Sequence, residues 1–105
     1  MHDLVMTYQY YFEPRALKEY VAALKWYKKR SKAAAENFVK EIDTAISVIC
    51  VEPFCYRVNY QQFREVSLKK YPFYLIFSIE ETKYRVLIFS VFHHKRNPAR
   101  KFQKK

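Results

Sequence analysis

The sequence predicts an α+β domain with the order β-α-α-β-β-β, a helical hairpin packed on one face of a mainly antiparallel sheet. Three observations predict it. Apolar residues recur at helical spacing between residues 14 and 51. β-branched and aromatic residues dominate residues 5–12 and the stretch from 63 to 92. Pro14 and Pro53 stand at the two ends of the helical region, where one can open a helix and the other must stop one.

Residues 5–12, rich in Val, Tyr, Thr and Phe, read as the first strand. From Pro14 to Arg30 the expected buried stripe is Leu17, Tyr20, Val21, Leu24 and Tyr27, with Lys18, Lys25, Lys28 and Lys29 on the remaining surface. Ser31 is a suitable cap for a second helix over residues 32–51. Its stripe is Ala35, Phe38, Ile42, Ala45, Ile46 and Ile49, and Glu36 with Lys40 makes a favourable four-apart pair outside. With almost no linker between them, the helices form an antiparallel hairpin. In residues 63–68, Arg64, Val66 and Leu68 share one face, opposite Phe63, Glu65 and Ser67. Residues 72–80 are apolar on both faces, as in a central strand. Residues 84–92 are a third β-rich run, with Arg85, Leu87, Phe89, Val91 and His93 on one face, and Glu81-Thr82-Lys83 is the tight connection before them.

Composition excludes several function classes. The 105 residues form one domain and include no glycine, so phosphate-cradling loops that need close backbone approach are ruled out. The start has neither the basic region nor the apolar core of a secretory signal, and the mostly apolar run 71–79 is far short of a membrane span. A soluble, cytoplasmic protein is expected, without membrane contact. Cys50 and Cys55 read as reduced small hydrophobes, and no metal or cofactor is expected. The formal net charge is +10, and it is uneven. Residues 1–52 carry eight bases and seven acids, whereas residues 53–105 carry twelve bases and three acids. The last thirteen residues hold six bases and no acid, so the second half is expected to face a polyanionic or acidic partner, with a basic tail over about residues 99–105.

Four short motifs carry a further signal: Phe12-Glu13-Pro14-Arg15-Ala16 opening the hairpin, Phe63-Arg64-Glu65-Val66, Tyr71-Pro72-Phe73-Tyr74, and Val91-Phe92-His93-His94-Lys95-Arg96-Asn97-Pro98. In this order the chain resembles the RelE/ParE family of toxins from bacterial type II toxin–antitoxin systems, over residues 5–98. The resemblance implies a cognate antitoxin partner, a toxin–antitoxin hetero-oligomer, and one of two targets. RelE-like toxins cleave messenger RNA on the ribosome; ParE-like toxins inhibit DNA gyrase without catalysis. A relative without toxicity, or a basic RNA-binding domain, is the alternative.

RNA cleavage needs a proton acceptor for the 2′-OH, a proton donor for the leaving oxygen and a cation for the phosphorane. By the resemblance, Arg64 stabilises phosphate charge and His93 transfers a proton. His94 occupies the position of a second donor, and Arg57 and Arg96 are phosphate or target contacts. Residues 52–60 contain only Glu52 and Arg57 where strongly active relatives place lysines or a Glu, so no general base is evident. Where many relatives have a glycine-containing hairpin, this chain has Gln61-Gln62-Phe63, a stiffer and bulkier turn.

Overall fold

The computed structural model describes residues 7–103. The predicted α+β fold is present: two helices lie on one face of a five-stranded mixed sheet. Strand β1 (Gln9–Phe12) is followed by helix α1 (Pro14–Arg30) and helix α2 (Lys32–Val51), then β2 (Val58–Tyr60), β3 (Phe63–Ser67), β4 (Phe73–Glu80) and β5 (Arg85–His93). The spatial order is β1-β5-β4-β3-β2, with β1 parallel to β5 and every other pair antiparallel. The part of the first predicted strand before residue 7 lies outside the described residues.

Local chemistry sets the helix ends. Pro14 occupies the first turn of α1, where its missing N–H costs nothing. A single residue, Ser31, closes α1 and opens α2: its N–H donates to the Tyr27 carbonyl, and its Oγ accepts from Ala34 N at 3.1 Å. Lys28, Lys29 and Arg30 fall in the last turn of α1, where positive charge suits the helix dipole. Pro53 ends α2 as expected and starts a short 3-10 turn.

Beneath the helices, Phe38, Ile42, Ile46 and Ile49 of α2 meet Leu75 and Phe77 of β4 and Val86, Ile88 and Val91 of β5. Phe38 is fully buried, its ring centroid 5.1–5.8 Å from those of Tyr20, Tyr27, Tyr71 and Phe73. The stripe of α1 is rotated from the predicted one. Ala16 and Ala23 are buried, whereas Leu17 and Val21 are 50% and 40% exposed. The small alanines let the α1 backbone lie close to β5, which turns the two larger side chains out to the flank. Glu36 and Lys40 are both exposed, and among the described residues they form no ion pair. Both cysteines are free; Cys50 is buried, and burial raises its thiol pKa, whereas Cys55 is exposed.

Three departures from the sequence reading shape the molecule. First, β2 is an additional short edge strand, pairing with β3 through Val58↔Arg64 and Tyr60↔Phe63. The turn joining them holds Gln61 at φ 51°, and the β4–β5 connection holds Tyr84 at the same value. These are left-handed positions that favour glycine, and a side chain there costs about 1–2 kcal/mol. The absence of glycine therefore stores strain at both turns.

Second, β5 carries a bulge. Ile76 pairs with Ser90 and Phe77 with Ile88, leaving Phe89 as an extra residue. The inserted residue inverts the alternation, so the predicted single face is split. Phe89 packs on the open face, while Val91 and His93 turn to the helices.

Third, residues 98–103 do not stand off from the domain. Asn97 Oδ1 caps a 3-10 turn at Pro98–Arg100, and the chain then folds back on the open face. Phe102 stacks on Tyr60 and Phe63, and Lys101 pairs with Glu65 at 3.1 Å. Phe63, Ile76, Phe89 and Phe92 form a second, smaller core there, and Phe102 packs against it.

Candidate functional site

The bulge and the early end of β1 create the best-organised polar site. Strand β1 covers β5 only as far as Ile88, so the edge from Phe89 to His93 would be bare. Glu19, one turn and a half into α1, reaches that edge. Its Oε1 accepts from Ser90 Oγ at 2.7 Å and from the Val91 N–H at 2.9 Å. Its Oε2 accepts from Arg15 Nε at 3.1 Å and from Arg96. The carboxylate is 14% exposed. Arg15 lies over the Phe89 ring and donates to the Arg100 and Gln103 carbonyls, so the same hub holds the chain end. The sequence reading passed over Glu19. Its signal was there: a lone acid on a basic helix, four residues after Arg15.

The predicted site residues divide among three places. Arg57 and Arg64 share the β2 corner. Arg64 is half-buried, donates to the Tyr56 carbonyl and lies 5.2 Å above the Phe54 ring; Arg57 is exposed. His93 and Arg96 line a groove of about 410 Å³ between α1 and the ends of β4 and β5, with Ala22, Trp26, Phe73 and Val91. His94 lies on the open face, its Nε2 3.3 Å from Ser67 Oγ and its ring 4.2 Å from that of Tyr74. The ammonium of Lys101 sits 4.0 Å above the other participant, Tyr74, and pairs with Glu65.

Arg64 and His93 are therefore not neighbours. Strand β4 separates their strands, and Arg64 pairs with Phe77 whereas His93 pairs with Phe73. Four residues of strand rise and two strand spacings put their Cα atoms about 17 Å apart. Arg64 is held against the Tyr56 carbonyl and the Phe54 ring, on the β2 side away from His93, so the two side chains do not converge on one phosphate, which a shared cleavage centre requires. His93 and Arg96 are brought together, but the Arg96 guanidinium is already engaged by Glu19.

The state of His93 follows from its surroundings. Its Nδ1 accepts from the Lys95 N–H at 3.0 Å, so the neutral ring carries its proton on Nε2. Its edge meets the Phe73 ring. Burial first, then the charges of His94 and Lys95, lower its pKa below the ordinary 6.5. The neutral ring is thus favoured in the fold. As pH falls below 6.5 the unfolded chain takes up a proton that folded His93 resists, and stability declines through the window down to the lowered pKa. Melting temperatures measured between pH 7.5 and 5 should show this decline flattened in His93→Gln; an unchanged slope would assign the acid sensitivity elsewhere.

A family model described as the ParE toxin of the type II toxin–antitoxin system parDE matches residues 10–98. The chain belongs to the ParE toxin family. Solved structures of RelE and ParE toxins share its fold at low sequence identity. A chain of the chromosomal ParDE system from P. aeruginosa superposes with a TM-score of 0.70 at 13% identity, covering 83% of this chain and 96% of that one. The RelBE2 toxin–antitoxin complex from Mycobacterium tuberculosis contains a chain matching with a TM-score of 0.57 at 15% identity, over 84% and 99% of the two chains. The isolated E. coli RelE toxin matches with a TM-score of 0.53 at 19% identity, over 88% and 89%. No curated protein matches the sequence. For this ParE-family chain the fold expected from the motifs stands, and no helix among the described residues is long and apolar enough to cross a membrane.

Proposed function

We propose that this ParE-family toxin arrests growth by capturing DNA gyrase and performs no chemistry on RNA. The observation that carries this reading is the separation of Arg64 from His93 by β4 and four residues of register. A toxin that acts by binding needs complementary surface, and it does not need an acid and a base converging on one phosphate. The same reading takes an acidic, amphipathic antitoxin segment as the partner that keeps the toxin inactive in the cytoplasm. The groove beside Trp26 supports that partner, because its floor of Ala22, Ala23, Trp26, Phe73 and Val91 suits the apolar side of an amphipathic segment.

One observation favours a second reading, ribosome-dependent cleavage of messenger RNA. His94, Ser67, Tyr74 and Lys101 gather on the open face, and they include a proton carrier and a cation. A supercoiling assay with purified gyrase and the full chain separates the two. Gyrase capture predicts loss of supercoiling at stoichiometric toxin, retained in His94→Ala. Undisturbed supercoiling, with translation stopped by the same preparation, would favour the second reading.

A further inference from the structure

The fold gathers basic residues that the sequence keeps far apart. Helix α1 runs alongside β5, with Glu19 at Ser90 and Tyr27 against Tyr71, so its last turn projects past the end of the strand. The Tyr71 hydroxyl donates to the Ala34 carbonyl, and the His94 N–H donates to the Pro72 carbonyl. The hairpin tip, the β3–β4 turn and the exit of β5 therefore form one end of the molecule. Lys25, Lys28, Lys29 and Arg30 come from α1, and Lys32 from the start of α2. Lys69 and Lys70 come from the turn, and Lys95 from the exit of β5. All eight are exposed, and among the described residues none of them forms an ion pair.

Acids are scarce at this end. Glu41 is engaged, its carboxylate accepting from the Lys69 and Lys70 N–H groups. Glu19 is engaged by Arg15 and Arg96. Glu36 is left against the eight bases. The uneven charge along the sequence thus gives way to a different division in space. Five of these eight bases come from the segment that is nearly neutral overall, because its described acids other than Glu36 lie elsewhere or are engaged.

We propose that this end is a polynucleotide-binding surface that contacts the phosphate backbone without reading sequence. Lysine is depleted from protein–protein interfaces, whose centres are apolar, whereas it supplies sequence-independent affinity for phosphates. The arrangement matches the second chemistry. Lys18, Lys25 and Lys29 fall on one line of α1, opposite the buried Ala16, Tyr20, Ala23 and Tyr27 side, and this line spans about 16 Å at 1.5 Å per residue. That length is about five backbone steps of one nucleic-acid strand at 3.4 Å each. The proposal does not depend on what the toxin's target is.

The test is fluorescence anisotropy of the full chain with a labelled 20-base-pair DNA duplex and with a labelled single-stranded RNA, each across a salt series. Lys25→Gln/Lys29→Gln is compared with Lys83→Gln/Arg100→Gln, which removes the same charge at other exposed sites. The first pair should weaken binding and reduce the slope of log affinity against log salt by about 2 on the duplex. The second pair should leave the slope near the wild-type value. Preference between the two probes identifies which polynucleotide the surface takes. Equal losses in the two variants would reduce the effect to net charge and overturn the proposal. Displacement of the probes by polyglutamate at the same charge concentration as by unlabelled DNA would overturn it also, in favour of an acidic protein. Both variants are at exposed positions, and unchanged melting curves confirm that each is compared in the folded state.

Discussion

Glu19→Ala is expected to lower the melting temperature by about 15 °C or more. The carboxylate is mostly buried and has four partners: Ser90 Oγ, the Val91 N–H, Arg15 and Arg96. Removing it leaves the Val91 N–H without an acceptor on a strand edge that β1 does not cover, and leaves two guanidinium groups facing each other. Breaking a buried ion pair from one side costs about 3–5 kcal/mol. For a domain of this size each kcal/mol corresponds to about 4–8 °C. Glu19→Gln should lie between the two, because the amide oxygen can still accept from Val91 but carries no charge. Calorimetric melting of the three proteins measures the ordering. An alanine variant melting within 3 °C of the wild type would show that the hub is a surface contact.

Phe38→Ala should be comparably severe for a different reason. Phe38 sits at the centre of the layer between α2 and the sheet, ringed by Tyr20, Tyr27, Tyr71 and Phe73. It is fully buried, and these neighbours come from α1, from β4 and from the turn before it. They cannot collapse into the space without moving an element. Truncating a buried Phe costs about 3–5 kcal/mol, the cavity included. Urea unfolding should show a lower midpoint at an unchanged slope, with Phe38→Leu losing less. A midpoint shift under 1 kcal/mol in the alanine variant would mean the layer repacks.

Much of this was legible in the residues. Pro14, Ser31 and Pro53 bound the helices where they were expected, because each acts through its own backbone chemistry. The two-sided apolarity of residues 72–80 identified the central strand, observed at Phe73–Glu80. The features that were not legible depend on partners distant in sequence. Phe89 is a bulge only relative to β4, and the run from Leu87 to Phe92 is apolar at every position but Ser90, so its period alone cannot reveal an inserted residue. Val58–Tyr60 is three residues long and gains strand character only by pairing with β3. The site reading gave Arg64 and His93 roles on one phosphate; the sheet order puts β4 between their strands. Arg96 and His93 do meet, through a groove that needs α1 to exist.

The central claim is that this toxin acts without cutting RNA. Mapping of RNA 5′ ends after induction of the toxin in growing cells tests it most directly. The separation of Arg64 and His93 predicts growth arrest with messages intact, and no new ends positioned by codon. New codon-positioned ends that disappear in His93→Ala, Arg64→Ala or His94→Ala, with each variant still folded, would contradict it.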